Sequence, residues 1–502
     1  MLKRKNYKVI ISTIFIILII SILLLNNKTD YNKINFDNVV NNINKNNKLF
    51  KTPVINIENY VNSIDNNDYF SNEYIDNLSS KNPSNSSLLS KSQAIEDINF
   101  FFELLRKNYG LYTYFGGDNV FLKAKNNIIN YIMTKNTITK KELYDVLIKN
   151  LNFINDNHFI INYDKNTHKI LCKNFYFFTL DEEYYYKDDI GFFTNSKSGK
   201  KYILKINDNS EVDSYMKLSI NNSGELVYKI GKLINFDNNE SNITNSNSVE
   251  INVEYKLANK TISERKQLTK ANNLLNSNAT FSFNINDNIP ILSLRSLTLN
   301  EQTKNKFLQS AFQCQKYKIN ILDLRRNIGG DGSLVVQWLE NRFAFRPVGN
   351  SKKIGLNRFL IDGKLPSIEE TSISHLYNLE VKKDYFFSND IDDAELYEND
   401  SIIFVLTDKN QGSAGEMFIE YLKNYENVIL IGSNTSGTLQ GSKYGINFKL
   451  PNSEISFQFG QWLFLFDDNY FKEGIGFKPD IWTNGSDALE LVLKLIDYYD
   501  LN

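Results

Sequence analysis

From residue 289 onward the chain alternates short, wholly apolar runs with stretches of helical period. Ile291–Leu294, Ile319–Leu324, Ile402–Leu406 and Val428–Ile431 read as strands, and Lys304–Tyr317, Ser333–Phe343 and Ala414–Tyr425 as helices. Strands that are apolar at successive positions bury both faces, which a parallel sheet covered by helices provides. The pattern predicts an α/β core over residues 289–502.

The stretch before this core divides in four. Residues 91–158 carry three amphipathic patterns and predict a helical domain. Ser92 is placed to cap Ile95, Ile98, Phe101, Phe102 and Leu105, with Gly110 closing that helix, and Asp118 to open Phe121, Leu122, Ile128, Ile129 and Ile132. Thr139 and Glu142 form a capping box ahead of Leu143, Val146, Leu147 and Leu151. Residues 159–288 change to alternating runs (Phe159–Tyr163, Asn174–Phe178, Tyr202–Ile206, Val249–Tyr255) split by polar turns, which predicts a β-rich insert. Residues 28–90 are rich in Asn, Ser, Lys and Asp and read as a polar linker with room for one short helix. Residues 1–27 hold an uncharged run, Val9 to Leu25, close to the roughly 20 residues that span a bilayer.

Lys3, Arg4, Lys5 and Lys8 precede that run, so the positive-inside rule leaves the N-terminus in the cytoplasm and the bulk outside. The run ends in Leu24, Leu25, Asn26 and Asn27 without the small residues of a cleavage site, so an uncleaved single-pass anchor in the cell membrane is expected. The formal charge of −1 over 502 residues leaves no global excess of cations for nucleic acid, which is not expected as a partner. Cys172 and Cys314 stand apart and outside any Cys/His cluster, so they read as core thiols, and neither metal nor cofactor is expected.

Four polar positions could carry chemistry. Ser413 follows a buried strand and opens a helix, where a serine serves equally as an N-cap or as a nucleophile beside free N–H groups. The loop Arg325-Arg326-Asn327-Ile328-Gly329-Gly330-Asp331-Gly332 follows another strand, and its glycines let backbone N–H groups approach a ligand. It lacks the Gly-Lys-Ser/Thr of a phosphate loop and the glycine spacing of a dinucleotide fingerprint. The chain has three histidines, and His168 and His375 lie in polar, loop-like surroundings, which leaves His158 at the end of the helical domain. Glu473 lies in a C-terminal turn and taken alone reads as a solvated residue.

Together these segments resemble the S41 family of serine peptidases, the tail-specific or C-terminal processing proteases with their tricorn-like members. Asp323-Leu324-Arg325-Arg326-Asn327-Ile328-Gly329-Gly330 is similar to the family's Asp-x-Arg-x-Asn-x-Gly-Gly, Ser413 to Glu416 to its nucleophile turn, Gly476 to Ile481 to its Gly-x-x-Pro-Asp-Ile, and Ile154 to His158 to its Leu-x-Asp-x-His step. The resemblance runs from about Ile95 to Leu495 and implies a crotonase/ClpP-like catalytic core of the S41 type, preceded by the helical domain and by an insert that is at most a degenerate PDZ-like module. The processing branch uses a Ser-Lys dyad, but Thr438 stands where that lysine belongs. Glu473 has the tricorn-like spacing to Gly476. The resemblance therefore implies Ser413 as nucleophile, His158 as general base and acid, Glu473 as the group orienting the imidazole, an oxyanion hole from Ala414 with Gly329 or Gly330, and a peptide or protein substrate. A lipase-type elbow is disfavoured because Gln411 replaces its first glycine. Two alternatives stay open: a non-catalytic peptide-binding surface protein on the same scaffold, and a dyad using Lys443.

Overall fold

The computed structural model describes residues 31, 33–50, 52–61, 87–164, 168–235, 247–275, 279–345, 348–356, 379–382, 385–388, 396–443 and 448–501. The run Val9–Leu25 and His375 lie outside the described residues. Among those described, no helix is long and apolar enough to cross a membrane.

The α/β core is a six-stranded sheet in the order Phe281–Asn286, Ile289–Leu294, Ile319–Asp323, Ile402–Thr407, Val428–Gly432, Ile481–Trp482. The first pair is antiparallel and every later pair parallel. The register sets Asp323 beside Leu406 and Thr407 beside Gly432, so three neighbouring strands end level with one another. Their loops leave at the carboxyl edge, where open α/β sheets bind ligands. Helices Glu301–Cys314, Ser333–Phe343 and Ala414–Leu422 cover one face with Phe307, Trp338 and Phe418 in contact.

The opposite face is covered by helix Ala488–Tyr498 and by a helix within the stretch read as linker. That helix, Phe36–Leu49, is capped by Asn35 and buries Phe36, Val40 and Ile43 in one cluster with Ile321, Phe404 and Ile429. Its apolar stripe is interrupted by asparagines, and that composition hid it. The linker reading is corrected for this segment.

The helical domain holds Lys91–Asn108, Gly117–Met133 and Lys140–Asn150. The first cap is Ser90 rather than Ser92: its hydroxyl accepts the Gln93 N–H at 3.3 Å and the Gln93 side chain accepts the Ser90 N–H at 2.9 Å. The second helix begins at Gly117, after Gly116 in the left-handed region, instead of at Asp118. Thr139 caps the third by accepting the Glu142 N–H at 3.0 Å. Glu142 itself turns to the Tyr131 hydroxyl at 2.5 Å, so only half of the expected box forms.

The boundary expected at residue 158 falls inside a strand. Asp156–Asn162 pairs with His168–Leu171 on one side and with Ser456–Gln458 on the other, and so stitches the helical domain to the core. His168 thus starts a strand rather than sitting in a loop. The insert is an eight-stranded antiparallel sheet from Phe175 to Lys270 with its own core around Phe178, Tyr184 and Tyr255. It rests on the catalytic core through Phe177 against Trp482, ring centres 4.4 Å apart. Cys314 is buried as expected, whereas Cys172 is only partly buried.

Candidate active site

The Asp-x-Arg-x-Asn segment is a brace. Arg325 forks onto Asp323 with bonds of 2.7 and 2.8 Å, and Arg295 adds a third at 2.6 Å. Burial pushes the Asp323 carboxyl up, but the two guanidiniums overcome it and hold it below its ordinary value. The braced loop delivers Asn327, whose carbonyl accepts the Gly412 N–H at 2.9 Å, directly before Ser413.

Ser413 is half-buried and adopts φ 54°, ψ −129°, a strained conformation for a residue with a side chain. Its hydroxyl makes no capping bond. The cap reading of Ser413 is therefore not met. Its N–H is held by the Thr438 carbonyl at 2.9 Å.

Gly329 (φ +93°) lies against this turn: a Cβ there would meet the Ser413 Cβ at 2.7 Å and the Ala414 nitrogen at 2.9 Å. Its N–H is already donated to the Asn327 side chain at 3.0 Å. Among the described residues, the N–H groups of Ala414 and Gly330 have no protein acceptor. Of the two glycines, Gly330 is thus the one whose N–H is uncommitted among the described residues.

His158 and Glu473 come together from elements 315 positions apart (473 − 158), each about nine-tenths buried or more. With Asp156 they bring one ligand-type atom each to within 4.8 Å of one another. One Glu473 oxygen accepts the Asn157 N–H at 2.9 Å and the other those of Leu439 and Gln440 at 3.2 and 2.9 Å. Asp156 accepts the His158 N–H at 2.8 Å and the Tyr109 hydroxyl at 2.9 Å. This trio has the residue types to hold a cation, and each of the four carboxylate oxygens already accepts at least one of these donors. Burial and the nearby Asp156 charge raise the Glu473 carboxyl well above its ordinary value, against the pull of its backbone donors. Burial likewise lifts Asp156, to about 6.

The loop 435–440 joins the two halves. Thr438 holds Ser413, Gly437 accepts from the Asn157 side chain at 2.6 Å, and Leu439 and Gln440 bind Glu473. Glu416, on the helix that Ser413 opens, accepts the Gly437 and Thr438 N–H groups at 2.7 and 2.6 Å and the Thr435 hydroxyl. The position expected to hold a lysine in a dyad, Thr438, abuts the nucleophile turn at Gly412 and bonds Ser436 through its hydroxyl. The backbone of Lys443 lies in strand Gly441–Lys443, and its amine falls outside the described part. Sequence reasoning met Asp156 and Glu416 inside motifs without giving them a role, and passed over Lys409, whose partners lie far along the chain.

Residues 288–483 match the model of peptidase family S41. This segment is a peptidase family S41 domain. Its bounds take in Ser413, Ala414, Gly329, Gly330 and Glu473, and leave His158 to the segment before it. The S41 assignment makes the chain a serine peptidase, a hydrolase acting on peptides or proteins.

In structure the chain is similar to mature CPAF (12% identity, covering 82% of this chain and 96% of that one, TM-score 0.39). It is also similar to a putative peptidase from Parabacteroides merdae (15%, 81% and 97%, 0.39) and to the tricorn protease (13%, 82% and 37%, 0.36). Likenesses this loose carry no argument about the site. No curated protein matches the chain.

Proposed function

We propose that this chain is a membrane-anchored, extracytoplasmic serine peptidase that hydrolyses peptide bonds through an acyl-enzyme with a Ser413-His158-Glu473 triad. The observation that supports it best is the loop 437–440, which bonds to Ser413, to Asn157 beside His158 and to Glu473 at once.

In this reading His158 takes the Ser413 hydroxyl proton as the oxygen attacks the substrate carbonyl. The resulting oxyanion is met by the N–H groups of Ala414, at the start of its helix, and of Gly330, in the loop that follows the Asp323 brace, so little reorganisation is needed. Collapse breaks the C–N bond, and His158 passes the proton to the leaving amine. Water then adds to the acyl carbon, with His158 as base again, and releases Ser413. A Glu473 carboxyl made more basic by burial is suited to holding the imidazolium that forms in each half-reaction.

Val9–Leu25 with its basic flank would keep the catalytic part outside the cell membrane. Labelling of intact cells with a membrane-impermeant amine reagent tests this: modification of the catalytic part only after lysis would refute it. The chemistry is tested with a fluorophosphonate probe on the full chain in detergent. Wild type should label and Ser413→Ala should not. Folded wild type that stays unlabelled while binding an extended peptide would favour a binding protein. Activity that survives His158→Ala and is lost in Lys443→Ala would restore a Ser-Lys mechanism.

A further inference from the structure

Lys409 is a cation that the reaction as described does not use, placed where the loops of the site converge. It is 6% exposed, and its ammonium donates to the carbonyls of Ser436 at 2.7 Å, Gly474 at 2.9 Å and Thr435 at 3.4 Å. Ser436 and Thr435 belong to the loop whose Thr438 carbonyl holds the Ser413 N–H, and Gly474 directly follows Glu473. Lys409 itself lies on the turn that leads into Ser413. One side chain therefore ties three segments that carry the nucleophile, its support and the triad carboxylate.

A buried ammonium is costly unless its hydrogens are all taken. Here three N–H bonds meet three carbonyls, the full donor capacity of the protonated form and of no other. The same bonds leave no lone pair to accept a proton from Ser413, so the arrangement is that of a strut and not of a general base.

We propose that Lys409 is a positioning residue whose protonated amine sets the spacing between the Ser413 turn, the 435–438 loop and the Glu473 turn. This rests on the Ser413-His158-Glu473 reading. Loss of the proton leaves two hydrogens for three carbonyls, so one tie must go. Burial holds the ammonium down to about 8, while Glu416, Cys172 and Glu473 oppose that shift and Lys270 on the insert adds to it. The Tyr176 ring, also from the insert, faces the amine at 5.4 Å. Turnover should therefore fall on an alkaline limb near pH 8, where Glu416, raised to about 7, is already ionised.

The test measures peptide hydrolysis and fluorophosphonate labelling from about pH 6 to about pH 10 for the full chain in detergent, as wild type, Lys409→Met and Lys409→Arg. Lys409→Met should lower kcat about 100-fold with KM within about twofold, the signature of misplaced groups rather than lost substrate contacts. Lys409→Arg should recover kcat to within about tenfold of wild type and abolish the alkaline limb, because a guanidinium does not titrate there. Labelling and hydrolysis of Lys409→Met at wild-type rates with an unmoved pH profile would overturn the inference and leave the triad standing. Wild type that never labels would overturn both. Should Lys409→Met fail to fold, Lys409→Arg decides: a vanished limb supports the strut and an unchanged one refutes it.

Discussion

The Gly329 backbone passes so close to Ser413 that a Cβ on the glycine would sit 2.7 Å from that of the serine. The contact leaves no room for a methyl group on residue 329 unless the Ser413 turn moves. Gly329→Ala should therefore displace the loop that carries Gly330 and slow labelling and hydrolysis about 100- to 1000-fold, the size of losing the Gly330 donor. Rates near wild type would mean that the loop relaxes and that its position is not used.

Ser413→Ala should be nearly silent in stability, because the hydroxyl caps nothing. Hydrolysis is expected to fall roughly 10⁵-fold or more, with Tm moving by no more than about 2 °C. A large loss of Tm measured by calorimetry would assign the serine a structural role.

Asp156 and Glu473 each bring a carboxylate oxygen to within 4.8 Å of a His158 ring nitrogen, and their bonding tells them apart. Asp156 is engaged by the Tyr109 hydroxyl and by the His158 backbone, Glu473 by backbone N–H groups alone. Glu473→Gln should cost about 10³- to 10⁴-fold in kcat. Asp156→Asn should cost about tenfold and mainly lower stability, since it disturbs a buried hydrogen-bond pair. The reverse order, read from steady-state kinetics, would make Asp156 the triad member.

Stability should decline as pH rises from about 4 to about 7. Burial raises Asp156 and Asp408 to about 6 and Glu416 to about 7, so the native state holds protons that the unfolded chain releases at lower pH. Their contribution is complete below the unfolded values and lost as pH climbs through the folded ones. Lys409, pushed down to about 8, works the other way: the unfolded chain keeps its proton to about 10.4, so stability recovers above pH 8. Thermal unfolding across this range checks the sign, and a Tm that climbs steadily from pH 5 to pH 7 contradicts it.

Asp323→Asn removes the counter-charge from Arg325, which is 4% exposed. An uncompensated buried guanidinium is expected to cost about 3–5 kcal/mol in denaturant unfolding. A change below about 1 kcal/mol would show that Arg295 and Arg325 find other partners.

Where neighbours in sequence are neighbours in space, the sequence was readable. The apolar runs at Ile319, Ile402 and Val428 became parallel strands within a residue or two, and Ser333–Phe343 kept its expected bounds. Ser413 at a strand-to-helix turn was visible for the same reason. What escaped depends on partners far along the chain. Lys409 finds its carbonyls up to 65 positions away and carries no local signature; Glu416 stood in the nucleophile-turn motif, but the loop it binds, 19 to 22 positions on, could not be read there. Phe36–Leu49 was lost to its asparagines, which mark turns in a local reading; here Asn38, Asn41, Asn42 and Asn46 face solvent, Asn44 bonds Asn427 and Asn47 is buried. Only a hydrogen-bond inventory could show that the Gly329 amide is already spent on Asn327.

Asn157 reaches Glu473 across 316 positions, and every described ligand of that carboxylate arrives from another part of the chain. A polypeptide still emerging from the ribosome or the translocon has the serine turn long before it has the cradle for the imidazole. With the triad proposed above, the nascent molecule would stay harmless to its neighbours until its last turns are folded in.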